Sequence, residues 1–335
     1  MGYGSYKASD WAKLKESKGI SNVSSAAEIF RDNNFQEKYD PFFITARESR
    51  DSEDSPNSTP IILGFDVTGS MGFLAAEIAK NSLNKTILEI YDKNLVSNPH
   101  VMCAAITQPI NKSGLQVTQF EADIRVIEQL LELKVRFGGN TFSYDSLVWY
   151  FAAKHTEIDS YKKRGKKGFI FVIGDEICGA DKGESLSVLQ IKNVYNDETD
   201  HDLPLTEVYN MAAEKYEIFH ITVHERAINS WNSFLPGRCA YISEENIQYL
   251  SEVITSIIQI TNGMSKKDVL KQWSGKASDV VQTAISDINI KKASQTQPQN
   301  YTQKYIQTHL QADKKTTADQ PLKKNLILKL FLQNY

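Results

Sequence analysis

A doubly wound α/β fold, its mostly parallel sheet covered by helices on both faces, is the class this sequence predicts. Three observations lead there. Short runs of continuous apolar residues recur along the chain, amphipathic stretches of helical length lie between them, and the two alternate over about 200 residues.

Strands covered on both faces read as unbroken apolar runs, because neither face meets water. Residues 61–65 (IILGF) are the first such run, entered from the polar stretch DSEDSPNSTP, which reads as a loop. A helix is expected over 73–91, where Leu74, Ile78, Leu83, Ile87, Leu88 and Ile90 form one stripe. Residues 101–106 (VMCAAI) give a second strand, and 115–120 (LQVTQF) alternate like a half-exposed one. Helices are expected over 123–133 and 144–155. The basic turn KKRGKK then leads into a buried strand at 168–174 (GFIFVIG). A helix over 205–216, a strand over 218–223 (IFHITV), a short strand at 240–242 and a closing amphipathic helix over 247–260 complete the pattern. Beyond it, a short helix near 278–288 is expected, and 293–321 is rich in Gln, Thr and Asn.

Domain organisation follows. Residues 1–58 form a polar extension, 59–263 the α/β domain, 264–290 a helical extension and 291–335 a basic arm. The chain of 335 residues is 41% hydrophobic and 24% charged, ordinary for a globular protein and unlike a disordered or collagenous one. No apolar run approaches the length of a membrane span, and no signal peptide is visible. Three widely spaced cysteines, Cys103, Cys178 and Cys239, suit buried thiols in a reducing compartment. A cytoplasmic location is the expectation. The net charge of -3 hides an asymmetry: the arm holds eight lysines against two aspartates, so the remainder is acidic. An acidic body argues against nucleic-acid binding by the main domain.

In a doubly wound sheet, ligands gather at the carboxyl ends of the strands, where strand order reverses. After the first strand comes Asp66-Val67-Thr68-Gly69-Ser70, and after the strand at 168–174 comes Asp175. Between them, Gly138-Gly139-Asn140-Thr141 opens a helix. Asp66, Thr68 and Ser70 stand at alternate positions of one tight loop, Thr141 offers a third hydroxyl and Asp175 a second carboxylate. Five hard oxygen donors suit Mg²⁺ or Mn²⁺, which favour octahedral oxygen sites. Isolated Asp, Ser and Thr are common in turns and helix caps. It is the three segments together that carry the metal reading.

These residues resemble the von Willebrand factor A domains, whose metal-ion-dependent adhesion site is written D-x-[ST]-x-S…T…D. Asp66, Thr68, Ser70, Thr141 and Asp175 fill those places in order, and Leu147 follows Thr141 at the six-residue interval seen in bacterial members. The resemblance covers roughly residues 60–262. Longer stretches (TPIILGFDVTGSMG, LQVTQFEADIRVIEQL, KRGKKGFIFVIGDE) are similar to a group of bacterial and phage von Willebrand A proteins. Two departures stand out. Thr68 replaces the commoner Ser, and Glu176 follows Asp175 where Gly is usual, placing another carboxylate nearby. Ser143 is an alternative hydroxyl donor to Thr141.

The resemblance implies a non-enzymatic binding module in which an Asp or Glu of a partner protein completes the shell of the ion. It also implies that the closing helix moves with ligand exchange. Bacterial relatives work beside MoxR-type AAA+ ATPases, which makes such a motor an expected partner. Two alternatives come from other classes, a metal-dependent phosphohydrolase and a structural or assembly subunit. FDVTGS is similar to the D-x-D-x-T nucleophile motif of haloacid-dehalogenase phosphatases, but Thr68 stands where their second Asp, the usual acid and base, belongs. His220 and His224, placed on one strand face with Glu225 as a third zinc ligand, read better as ordinary sheet histidines. Trp149, Tyr150 and Phe151 read as helix-to-sheet packing.

Overall fold

The computed structural model describes residues 6–21, 24–30, 34–67, 71–107, 114–134 and 142–290. The N-terminal segment carries helices α1 (Ala8–Ser17) and α2 (Ala26–Phe30), then strand β1 (Arg47–Ser49). Strand β2 (Thr59–Asp66) leads to α3 (Gly72–Glu77), a π-helical turn (Ile78–Ser82) and α4 (Leu83–Asp92), followed by β3 (Pro99–Ile106), β4 (Leu115–Val117) and α5 (Arg125–Leu130). Next come α6 (Asp145–Lys154), β5 (Thr156–Ile158), α7 (Asp159–Arg164) and β6 (Gly168–Gly174). The short pair β7 (Ser185–Leu186) and β8 (Leu203–Pro204) brackets α8 (Val188–Tyr195). Helix α9 (Leu205–Ala213), β9 (Tyr216–Thr222), α10 (Glu225–Phe234) and β10 (Cys239–Tyr241) follow, then α11 (Leu250–Thr261), α12 (Lys266–Leu270) and α13 (Gly275–Ala284).

The main sheet has six strands in the order β10-β9-β6-β2-β3-β4. Every neighbouring pair is parallel except β3 with the edge strand β4. This is the predicted doubly wound α/β class. After β2 the chain moves to β3 on one side; after β6 it moves to β9 on the other. Strand order therefore reverses between β2 and β6.

Side chains alternate between the two faces along each strand. Ile61, Leu63, Phe65, Phe171, Ile173, Phe219 and Ile221 join one buried cluster with residues of α3, α4, α5, α11 and α13. Tyr6, Trp11, Leu14, Phe30 and Tyr39 belong to the same cluster, so the N-terminal extension is built into this core, and Tyr6 donates to Asn84 Oδ1 at 2.8 Å. The opposite face carries α6, whose Val148 lies against Gly64 and which packs with α9 and α10. Asp66, Gly174 and His220 fall on this second face by the same alternation.

Three expectations need correction. Strand β4 is fully buried rather than half-exposed, because the N-terminal segment covers this edge: Arg47, itself buried, donates from Nη2 to the Val117 carbonyl at 3.1 Å. An edge strand left bare would invite pairing with another chain. Helices α8 and α10 were not expected. And His224 does not share a strand face with His220: the strand ends at Thr222, and His224 is an exposed residue at the start of α10. No helix among the described residues is long and apolar enough to cross a membrane.

Candidate functional site

The crevice where strand order reverses is bounded by the ends of β2 and β6. Register pairs Phe65 with Ile173, so Asp66 comes level with Gly174, and Asp175 follows immediately. Asp66 is 2% and Asp175 6% exposed. Two carboxylates at adjacent strand ends, almost out of water, need compensating charge or donors, since burying an ionised acid is costly. Thr68, Ser70 and Thr141 lie outside the described residues. Of the predicted set, Asp66, Asp175 and Ser143 are described: Asp66 and Ser143 both border Gly174, and Asp175 is the next residue along the chain.

Ser143 stands at the mouth of α6. Its amide donates to the Ile177 carbonyl at 3.0 Å, tying the start of α6 to the loop that follows Asp175. A Cβ added to Gly174 would lie 3.4 Å from Ser143 Oγ, 3.8 Å from His220 Cε1 and 4.0 Å from Asp66 Cβ. That close approach of β2, β6, β9 and the start of α6 defines the floor of the site.

Beneath it runs a buried polar chain. Ser143 Oγ donates to Asp145 Oδ1 at 2.5 Å, and Asp145 Oδ2 stands 2.8 Å from His220 Nδ1. A carboxylate only accepts, so Nδ1 carries the hydrogen and the imidazole tautomer is fixed. Asp145 and His220 are 1% and 0% exposed. The imidazole lies flat on Trp231 of α10, ring centroids 3.6 Å apart and planes 14° from parallel. Trp231 Nε1 in turn donates to the Glu176 carbonyl at 3.0 Å. The Ser, Asp and His here do not form a nucleophilic relay. Such a relay needs His against the serine hydroxyl, whereas Asp145 stands between them.

Glu176, expected to add a carboxylate near the ion, has that carboxylate 3.4 Å from Arg226 Nη2 on the surface of α10. Farther along the same loop, Ser146 of α6 donates to Glu184 Oε1. Glu184 is partly covered as a residue, but its Oε2 is out of contact with solvent and lacks a hydrogen-bond partner. Burial pushes its carboxyl up to about 8, against the Ser146 hydrogen bond and with the charge of Asp145 adding to the rise. The three cysteines are free and buried. Burial raises the Cys178 thiol well above its usual range, which leaves it a poor ligand and a poor nucleophile.

Among the described residues, no group of three His, Cys, Asp or Glu side chains stands ready to hold a metal ion. The described donors nonetheless fit one kind of ion. Asp66, Asp175 and Ser143 offer oxygen, as hard divalent cations prefer; His220 Nδ1 is committed to Asp145, while its buried Nε2 makes no hydrogen bond and is a nitrogen near this floor. Sequence reasoning missed Asp145 and the true setting of His220. A signal existed for the helix that holds Trp231: Ala227, Trp231 and Phe234 recur at helical spacing behind an acidic first turn.

No family model and no curated protein matches the chain. Solved structures align with it distantly. The pilus adhesin SpaC from Lactobacillus rhamnosus GG aligns at a TM-score of 0.41 and 12% identity, over 62% of this chain and 31% of the adhesin. Its open conformation aligns at 0.32 and 13%, over 68% and 30% respectively. A von Willebrand factor type A structure from Catenulispora acidiphila aligns at 0.34 and 11%, over 60% of this chain and 43% of its own. The chain therefore spans less than half the length of these structures, and likeness at such scores carries no functional argument.

Proposed function

We propose that the chain is a protein-binding module that holds Mg²⁺ or Mn²⁺ and uses it to capture an acidic residue of a partner protein. The observation that carries this reading is the placement of Asp66 and Asp175, buried at the ends of the two strands that flank the reversal of strand order. Ligand sites of doubly wound sheets belong at that point.

In this reading Asp66, Thr68, Ser70 and Asp175 bind the ion together with the hydroxyl of Thr141 or of its alternative, Ser143. A bound dication supplies an electrophilic coordination place that water or a carboxylate can occupy. The Asp66 and Asp175 carboxylates match its charge, while the neutral hydroxyls donate no further negative charge. That division keeps a partner's Asp or Glu attractive as the last ligand. A MoxR-type AAA+ ATPase is the partner class we propose, by analogy of motif alone.

The test combines metal uptake and capture. Asp66→Ala should fold, lose the Mn²⁺-dependent rise in Tm of the wild type, and lose proteins that the wild type retains in Mg²⁺ and releases in chelator. Identical retention by both proteins, with and without chelator, would sink the reading.

A further inference from the structure

We propose that Asp145, His220 and Trp231 are positioning residues of this site, a clamp that holds Ser143 and the loop after Asp175 in the arrangement that receives the ion. The inference rests on the metal-binding reading above and assigns roles to three residues outside the motif.

The contacts close into a ring. Ser143 is tied to the 174–178 loop by its amide, which donates to the Ile177 carbonyl at 3.0 Å. From its hydroxyl the chain passes through Asp145 to His220 on β9, then by ring stacking to Trp231 on α10. Trp231 Nε1 brings it back to the same loop at the Glu176 carbonyl, 3.0 Å away. A second bond from α10, from the Cys178 amide to Ser230 Oγ at 2.8 Å, fastens the far side of the loop. The backbone on either side of Ile177 is thus held from α6 and from α10 at once, directly after Asp175.

The chemistry of the chain has a direction. Asp145 takes the hydrogen of the Ser143 hydroxyl, so only the oxygen lone pairs of Ser143 remain available to a cation. A hydroxyl free to rotate could instead offer its hydrogen and repel the ion. His220 fixes Asp145 in turn, and the stack on Trp231 fixes His220. Stability alone is a weak reason for such a buried polar pair, because the cost of taking both groups out of water offsets much of what their hydrogen bond returns. Polar neighbours that orient metal ligands have the larger documented effect on affinity, at 10- to 100-fold.

The experiment compares Mn²⁺ dissociation constants with Tm measured in chelator, on the full chain. His220→Phe keeps a ring against Trp231 and removes the donor to Asp145. His220→Asn returns an N–H near the Nδ1 position. We expect His220→Phe to bind Mn²⁺ at least tenfold more weakly, and His220→Asn to recover affinity to within about threefold of the wild type, although both lower Tm in chelator. A role confined to stability would lower Tm in both and leave their Mn²⁺ affinities equal to the wild type, which overturns the clamp. Should His220→Phe fail to fold, Trp231→Phe keeps an aromatic ring in place and removes only the bond to Glu176. An unchanged Mn²⁺ affinity in that variant overturns the clamp equally. Wild-type protein that takes up no Mn²⁺ would remove the metal reading itself, a result distinct from variants that bind as the wild type does.

Discussion

The two ends of strand β6 treat buried acids in opposite ways. At the amino end, the turn KKRGKK and its neighbours surround carboxylates with cations. Arg164 pairs with Asp51, Lys163 stands 2.7 Å from Asp159, and Arg50 reaches Asp159 at 3.1 Å. Burial opposes the ionisation of Asp159, but Lys163, the Asp51 amide and Arg50 outweigh it and hold the carboxyl at about 2. At the carboxyl end, Asp145 meets a hydroxyl and an imidazole, and the neighbouring Glu184 is pushed up to about 8. At one end charged partners hold a carboxyl ionised; at the other, burial favours the neutral form of Glu184, so a cation placed beside it would ease its ionisation.

The same strand carries a glycine at each end, and their surroundings give the largest expected effect. A Cβ on Gly168 would lie 2.6 Å from Pro60 Cγ, 2.7 Å from the Pro60 carbonyl oxygen and 2.9 Å from the Tyr216 ring. Backbone and a proline ring cannot yield cheaply, so Gly168→Ala should cost about 3 kcal/mol or more in urea unfolding. An unchanged unfolding midpoint would show that the amino end is looser than these distances state.

Much of this contrast is visible in the sequence, and the remainder is hidden for physical reasons. Buried strands announce themselves as apolar runs, so IILGF and GFIFVIG could be placed, and with them the acids that follow. KKRGKK is legible as a basic turn. Its partners are not, since Asp51 lies over 110 residues away from Arg164 in sequence. The Asp145–His220 pair spans 75 residues, and no local pattern links a helix-opening aspartate to a strand histidine. Helix α8 did leave a mark, for Ser187 and Gln190 form a capping box before the buried Ile191 and Val194. The half-exposed reading of β4 failed for another reason: alternation cannot reveal that a distant segment covers the edge.

A smaller effect, of opposite sign, is expected at Glu184. A carboxyl whose pKa rises on folding favours the folded state fully below its unfolded value of about 4.3. That contribution is lost as pH rises towards the folded value of about 8. Glu184→Gln cannot ionise, so its stability relative to wild type should grow between pH 5 and pH 8.5, reaching about 1–2 kcal/mol once screening by water is allowed for. Asp159 runs the other way, its contribution being present above about 3.9 and lost as pH falls towards 2. A Glu184→Gln difference that stays constant with pH would mean that the carboxyl end does not resist ionisation.

The smallest change in stability should come from Gly174→Ala, and it is the sharpest test of the comparison. The added methyl would meet Ser143 Oγ at 3.4 Å and His220 Cε1 at 3.8 Å, both ordinary contact distances, so nothing need move. Stability in chelator should stay within about 0.5 kcal/mol of the wild type, in the range of surface substitutions. Yet the methyl occupies space beside the oxygen that the clamp presents and next to Asp66, so Mn²⁺ should bind severalfold more weakly. Alanine at the two ends of one strand would then separate folding from binding: lost stability at 168, lost ion affinity at 174. If Gly174→Ala instead unfolds as readily as Gly168→Ala, the carboxyl end is packed for structure as tightly as the amino end, and the asymmetry that supports a binding site there is gone.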